Sequence, residues 1–282
     1  MSMLVDAVWV AAHLDEVAVA DVRWSAAGGT AEATRGFEAG HIPGAAFLDV
    51  DRDLSGDPAG GPGRHPLPSP DAFARTLSVA GIGDDSLVIA YDDAEGSLAA
   101  RLWWMLDAIG YRAALLDGGL LAWSGALETG PARGRSATPV RPRPWPPGRI
   151  GTVDEVAAAL RGATKTVLDA RAPERYRGEV EPLDPVGGHI PGVRNAPWAG
   201  NLSASGTFRS PEELRERYAA LGVTAGADTI AHCGSGVTAC HDLFAMRLAG
   251  LGDARLYVGS WSEWVGDPAR PVATGDEPGA SA

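Results

Sequence analysis

Two blocks of this sequence occur twice, and that repeat constrains the fold more than any other feature. Gly40-His41-Ile42-Pro43-Gly44 returns as Gly188-His189-Ile190-Pro191-Gly192, and Asp21-Val22-Arg23 returns as Asp169-Ala170-Arg171, both displaced by 148 positions. Farther on, Leu87-Val88-Ile89-Ala90 aligns with Asp228-Thr229-Ile230-Ala231, and Gly118 and Trp123 align with Gly259 and Trp264, now displaced by 141. The second copy is therefore seven residues shorter between these blocks. Displacements this large describe two related domains in tandem, because solenoid repeats recur roughly every 20 to 50 residues. A length of 282 residues suits two domains.

Between the copies, Gly130 to Gly148 is rich in proline and arginine and has no apolar periodicity, which predicts an extended, semi-rigid linker. Its arginines are expected in solvent or pinned to acidic surface. The chain accordingly divides into a first domain at 1–129, a linker at 130–149, a second domain at 150–274 and a frayed tail at 275–282. Within each copy, short apolar runs alternate with helical patterns. Strands are predicted at Val17–Val22, Leu87–Tyr91 and Ala113–Leu116, with partners at Val167–Ala170, Thr229–His232 and Arg255–Val258. Thr152-Val153-Asp154-Glu155 and Ser210-Pro211-Glu212-Glu213 fit capping boxes, and Ala239 to Leu248 has helical spacing. The alternation predicts an α/β fold in which each domain is a mainly parallel sheet flanked by helices. Ligands of such sheets bind beyond the carboxyl ends of the strands.

A formal charge of −12 argues against nucleic acid or an anionic membrane as partner, since both require a basic face. Only Cys233 and Cys240 are cysteines, which is no disulfide framework and suits a reducing compartment. The start Met1-Ser2-Met3-Leu4-Val5-Asp6 lacks a basic n-region and no stretch has the apolar length of a membrane span, so a cytoplasmic location is expected.

Cys233 follows the short apolar run Asp228-Thr229-Ile230-Ala231 and opens the loop Cys233-Gly234-Ser235-Gly236-Val237-Thr238 before the helical pattern. Glycines there let successive N–H groups turn toward the sulfur, and the helix adds the positive end of its dipole, so the site favours a thiolate. In the first copy the same place is Asp92, within Tyr91-Asp92-Asp93-Ala94-Glu95-Gly96, which cannot supply a nucleophile and would repel an anion. A cysteine phosphatase needs an arginine six positions after its nucleophile, where this chain has Ala239. A zinc site from His232, Cys233, Cys240 and His241 meets no usual ligand spacing. Cys240 is expected to be a packing residue, because seven helical residues separate Cα atoms by about 10 Å, too far for a disulfide with Cys233.

Together, the GHIPG turn in both copies, Asp169-Ala170-Arg171, Cys233-Gly-Ser-Gly-Val-Thr-Ala239 and Gly259-Ser-Trp-Ser-Glu-Trp264 resemble the tandem-domain sulfurtransferases of the rhodanese superfamily, over essentially the whole chain. The resemblance implies two rhodanese-like domains, the first inactive, and a sulfur carried on Cys233 as a persulfide, with no metal or cofactor. The donor would be a small anion and the acceptor cyanide or a thiol such as thioredoxin. Gly234, Gly236 and Val237 would contribute backbone N–H groups, and the Ser235 hydroxyl would bond a carbonyl or a leaving enolate. Thr238 either caps the helix or bonds the persulfide. Gly234 and Ser235 stand where thiosulfate enzymes of the family carry basic residues, which favours 3-mercaptopyruvate over thiosulfate. A persulfide carrier without turnover of a small donor is the non-enzymatic alternative. The resemblance puts the family's substrate arginine at Arg175, whose planar fork matches a carboxylate. A second family arginine falls at Leu183, which leaves Arg177 to compensate. From the first domain, Asp51 and His65 resemble an Asp and a His of the mercaptopyruvate site, against readings as a turn cap and a surface loop residue, and Arg64 is a further anion contact.

Overall fold

The computed structural model describes residues 2–133, 136–162 and 165–278; position 1, linker positions 134–135, positions 163–164 and tail positions 279–282 lie outside the described residues. The chain forms two compact units. Unit 1 comprises Met1–Asp57, Leu67–Pro146 and Ser205–Thr207, and unit 2 comprises Pro58–Pro66, Pro147–Ala204 and Phe208–Ala282.

Unit 1 is built on β1 (Leu4–Val5), β2 (Ala18–Arg23), β3 (Ala46–Asp49), β4 (Leu87–Tyr91) and β5 (Arg112–Leu116), in the order β1-β5-β4-β2-β3. Unit 2 is built on β6 (Ile150–Gly151), β7 (Thr166–Asp169), β8 (Arg194–Asn195), β9 (Thr229–His232) and β10 (Arg255–Tyr257), in the equivalent order β6-β10-β9-β7-β8. Every pairing in both sheets is parallel. Parallel neighbours need crossover connections, so helices cover the sheet and its central strands lose contact with water on both faces. All six residues of β2 and all four of β9 are buried. β4 and β9 keep their predicted bounds, and β2, β5, β7 and β10 shift by a residue. The edge strands β1, β3, β6 and β8 escape sequence detection; β1, β6 and β8 have only two residues each, too few to carry a pattern of their own, and β3 is only partly buried.

The repeated motifs repeat one piece of bonding. In unit 1, Arg23 pairs with Asp21 at 2.6 Å and donates Nη2 to the Gly40 carbonyl at 3.1 Å. In unit 2, Arg171 pairs with Asp169 at 2.6 Å and donates Nη2 to the Gly188 carbonyl at 2.7 Å. The strand end is thus tied to the glycine that opens GHIPG. His41 stacks on Phe37 at 3.8 Å and His189 on Tyr176 at 3.7 Å, each donating Nδ1–H to that ring's backbone carbonyl. The closing glycines, Gly44 at φ +73 and Gly192 at φ +88, occupy left-handed conformations that a side chain disfavours.

Both predicted capping boxes form, at Ser210 with Glu213 and at Thr152 with Glu155. The linker residues 136–146 lie with unit 1. The Trp145 indole donates to the Pro68 carbonyl at 2.8 Å and lies 5.4 Å from the Phe73 ring, and Arg143 pairs with Asp84 at 3.2 Å, so this arginine is pinned to acidic surface.

Arg23 and Asp21 are buried together, so removing the guanidinium strands a carboxylate. Arg23→Ala is expected to destabilise unit 1 by about 3–5 kcal/mol in urea unfolding. A loss under about 1 kcal/mol would show that the tie to Gly40 is dispensable.

Candidate active site

β9 ends at His232, and the chain turns through Cys233 to Thr238 before the Ala239–Leu248 helix. Cys233 is buried with 2% of its surface exposed. The loop is closed from behind by the Ser260–Trp264 helix: Trp261 N–H donates to the Cys233 carbonyl at 3.0 Å and Ser262 N–H to the Gly234 carbonyl at 2.9 Å. The Ser260 hydroxyl accepts the Cys233 N–H at 3.2 Å and donates to the Tyr257 carbonyl at 2.8 Å. Ser260 holds φ +55, where unit 1 has Gly119 at φ +58. The strain of a left-handed serine is offset by its grip on the cysteine backbone. Gly236, at φ +77, has no such latitude, since a methyl group there would sit 2.6 Å from the Val258 carbonyl oxygen.

Unit 1 shows what this loop geometry binds. The Asp92 carboxylate, at the place of Cys233, accepts the N–H groups of Ala94 at 2.9 Å, Gly96 at 2.8 Å, Leu98 at 2.8 Å and Ala99 at 2.7 Å. The Asp92 side chain thus fills the cradle of its own loop. In unit 2 the matching residues are Ser235, Val237, Ala239 and Cys240. Cys240 N–H turns to the Val237 carbonyl, whereas the N–H groups of Ser235, Val237 and Ala239 meet no acceptor among the described residues.

Arg64 and His65, from the first half of the sequence, fold into unit 2. Arg64 N–H donates to Ser262 Oγ at 3.0 Å, and His65 Nδ1 lies 2.7 Å from Ser235 Oγ, with the imidazole buried. A methyl group on Gly234 would lie 3.3 Å from Arg64 Nη2, 3.4 Å from Arg175 Nη2 and 3.5 Å from Arg175 Nη1, so two guanidinium groups flank this glycine. Arg175 gives the side of its fork to Glu181, Nε at 3.2 Å and Nη2 at 2.6 Å, which leaves Nη1 without an acceptor among the described residues. Arg64 pairs through Nη1 with Asp184. Arg177 is engaged elsewhere, with Glu179 at 2.8 Å and Asp276 at 3.5 Å, so the second cation beside Gly234 is Arg64.

A model of the Rhodanese-like domain matches residues 6–126 and 152–267. The chain belongs to the rhodanese family. A Pseudomonas aeruginosa relative that carries a 3-mercaptopyruvate sulfurtransferase name is 48% identical over 86% of this chain and 87% of its own length. A Mycobacterium tuberculosis relative with a thiosulfate sulfurtransferase name is 40% identical over 93% of this chain and 92% of its own. The crystal structure of an Escherichia coli protein described as a 3-mercaptopyruvate sulfotransferase has a TM-score of 0.79 at 33% identity, covering 93% of this chain and all of that one.

Of the residues singled out by sequence, unit 2 gathers Cys233, Gly234, Ser235, Gly236, Val237, Thr238, Arg175, Arg64 and His65. Asp51 belongs to unit 1, exposed on the turn after β3, where it accepts the Trp24 indole N–H at 3.0 Å. Thr238 occupies the N-cap position without a side-chain cap bond. Cys240 is fully buried, its thiol 3.4 Å from the Gly236 carbonyl. Among the described residues no group of three or more His, Cys, Asp or Glu is placed to hold a metal, and no helix is long and apolar enough to cross a membrane. Sequence reasoning missed Glu181 and Asp184. Their only signal was two acids around Pro182-Leu183, next to an arginine-rich turn.

Behind Cys233, His232 donates Nδ1–H to the Cys233 carbonyl at 3.1 Å, with Nε2 3.9 Å from Asp169. Burial pushes the His232 imidazole below its ordinary range, so it stands there neutral. Burial raises the Asp169 carboxyl, but the charge of Arg171, the neighbouring His232 and the hydrogen bonds from Arg171 together outweigh it and hold the group at about 2. Because that value is depressed, the pair's stabilisation is present above about pH 4 and lost as the pH falls toward 2. The stability gap between the native protein and Asp169→Asn, from urea unfolding, should therefore narrow by about 1 kcal/mol between pH 5 and pH 3. An equal gap at both pH values contradicts this account of Asp169.

Proposed function

We propose that this protein transfers sulfur from 3-mercaptopyruvate to a thiol or cyanide through a persulfide on Cys233. One observation carries the reading. The loop that in unit 1 grips the Asp92 carboxyl group with four N–H groups presents, around Cys233, three counterpart N–H groups, of Ser235, Val237 and Ala239, that meet no acceptor among the described residues. Such a cradle suits a sulfur anion, and donors aimed at developing charge are the common device of group-transfer sites.

The Cys233 thiolate attacks the donor sulfur, forming an S–S bond as the C–S bond of mercaptopyruvate breaks. The electron pair of that bond passes into the enolate of pyruvate, which then takes a proton at carbon. Ser235 Oγ, held by His65 at 2.7 Å, bonds the enolate oxygen, and the outer sulfur of the persulfide lies among the N–H groups of Ser235, Val237 and Ala239. Arg175 Nη1 and Arg64 Nη2 together hold the donor carboxylate. An acceptor thiolate or cyanide then removes the outer sulfur and restores the Cys233 thiolate, a ping-pong cycle. The names of the Pseudomonas aeruginosa and Escherichia coli relatives support this donor, and that of the Mycobacterium tuberculosis relative supports thiosulfate as a second one.

Purified protein should turn over 3-mercaptopyruvate with cyanide or reduced thioredoxin as acceptor. Cys233→Ser should lower that rate by at least about 10³-fold with its circular dichroism unchanged, and substantial residual transfer would refute the nucleophile. Arg175→Ala should reduce kcat/KM for the carboxylate donor by about 10–100-fold, and an unchanged value would remove Arg175 from the site.

A further inference from the structure

The two guanidinium groups beside Gly234 are served by two carboxylates of different kinds. Glu181 is tied into the framework: it pairs with Arg175 at 2.6 Å and Arg171 at 3.3 Å and accepts the N–H groups of Leu183 at 3.1 Å and Asp184 at 3.2 Å. Asp184 is tied by one oxygen only. Its Oδ1 pairs with Arg64 Nη1, while Oδ2 makes no hydrogen bond and lies 3.5 Å from Arg175 Nη2, in a side chain only 3% exposed. Buried carboxylate oxygens ordinarily find donors, so an orphan between two cations acts on them chiefly through its charge. Burial raises the Asp184 carboxyl and Arg64 beside it pulls it back, which is the balance of a costly but neutralised anion.

We infer that Asp184 is a specificity-determining residue that cancels one of the two positive charges at Gly234 and so tunes the donor site to a singly charged carboxylate over an inorganic dianion. Its field repels a dianion with twice the energy that it repels a monoanion. The loop lacks cations of its own, so the charge a donor meets is set by Arg64 and Arg175 and by how far their partners neutralise them. The inference rests on the sulfurtransferase reading for its donors, 3-mercaptopyruvate and thiosulfate.

The test compares kcat/KM for the two donors in the full-length native protein, Asp184→Asn and Asp184→Glu, at low and at high ionic strength. Asp184→Asn should raise the thiosulfate to mercaptopyruvate ratio by about tenfold or more, with the gain shrinking in salt, and Asp184→Glu should restore the native ratio to within about twofold. A ratio unmoved in Asp184→Asn, or moved equally by Asp184→Glu, overturns the inference. Binding of sulfate against pyruvate, followed by tryptophan fluorescence, gives a second readout that needs no turnover. If the native protein turns over neither donor, the sulfurtransferase reading fails, yet a sulfate preference gained by Asp184→Asn still upholds the charge role and an unchanged preference refutes it. Should Asp184→Asn not fold, Asp184→Ser removes the same charge and is read in the same way.

Discussion

A single buried guanidinium joins the parts of unit 2 from which the site is made. Arg171 pairs with Asp169 at the end of β7, donates to Gly188 at the start of the GHIPG turn, lies 4.6 Å from the centre of the Trp261 ring and meets Glu181 at 3.3 Å. Trp261 in turn holds the Cys233 carbonyl, and Glu181 holds Arg175. An arginine can do this because its planar fork offers five donors and stacks on an aromatic face without losing its charge. The same tie in unit 1, from Arg23 to Gly40, reaches Asp93 at 2.6 Å and no arginine cluster. The motif is thus a device of the fold that unit 2 extends into a site.

The two units also put one loop to opposite uses. Asp92 satisfies four N–H groups of its own loop, so unit 1 is closed to any other anion. In unit 2 a thiol replaces the carboxyl group, and the N–H groups of Ser235, Val237 and Ala239 meet no acceptor among the described residues. Unpaired amides in a buried loop cost stability, and a site that leaves them open has traded that stability for the capacity to receive charge. The left-handed Ser260 belongs to the same trade, since its hydroxyl fixes the Cys233 backbone where glycine would relax the chain.

Charge at the proposed donor site comes from outside the loop. Gly234 and Ser235 carry none, which by sequence favours a monocarboxylate donor, but the folded unit brings Arg64 and Arg175 to Gly234 and sets Glu181 and Asp184 against them. Reading donor preference from the residues that follow the cysteine therefore captures the cradle and misses the field.

The sequence by itself determined the two related domains, the central strands of each sheet, the capping boxes and Cys233 at the carboxyl end of β9. These features rest on local periodicity and on backbone conformations that particular residues demand, both of which are written in consecutive positions. Only the tertiary structure decided that Arg64 and His65 fold into unit 2, that Arg177 faces Glu179 and Asp276, that Glu181 and Asp184 hold the site's arginines, and that Asp92 fills its own cradle. Arg64 and Asp184 are 120 residues apart, and His65 and Ser235 are 170 apart. No local pattern encodes which of many charged side chains will meet across such distances, because that choice is made by packing and burial, where a charge is tolerated only beside the partner that the fold delivers.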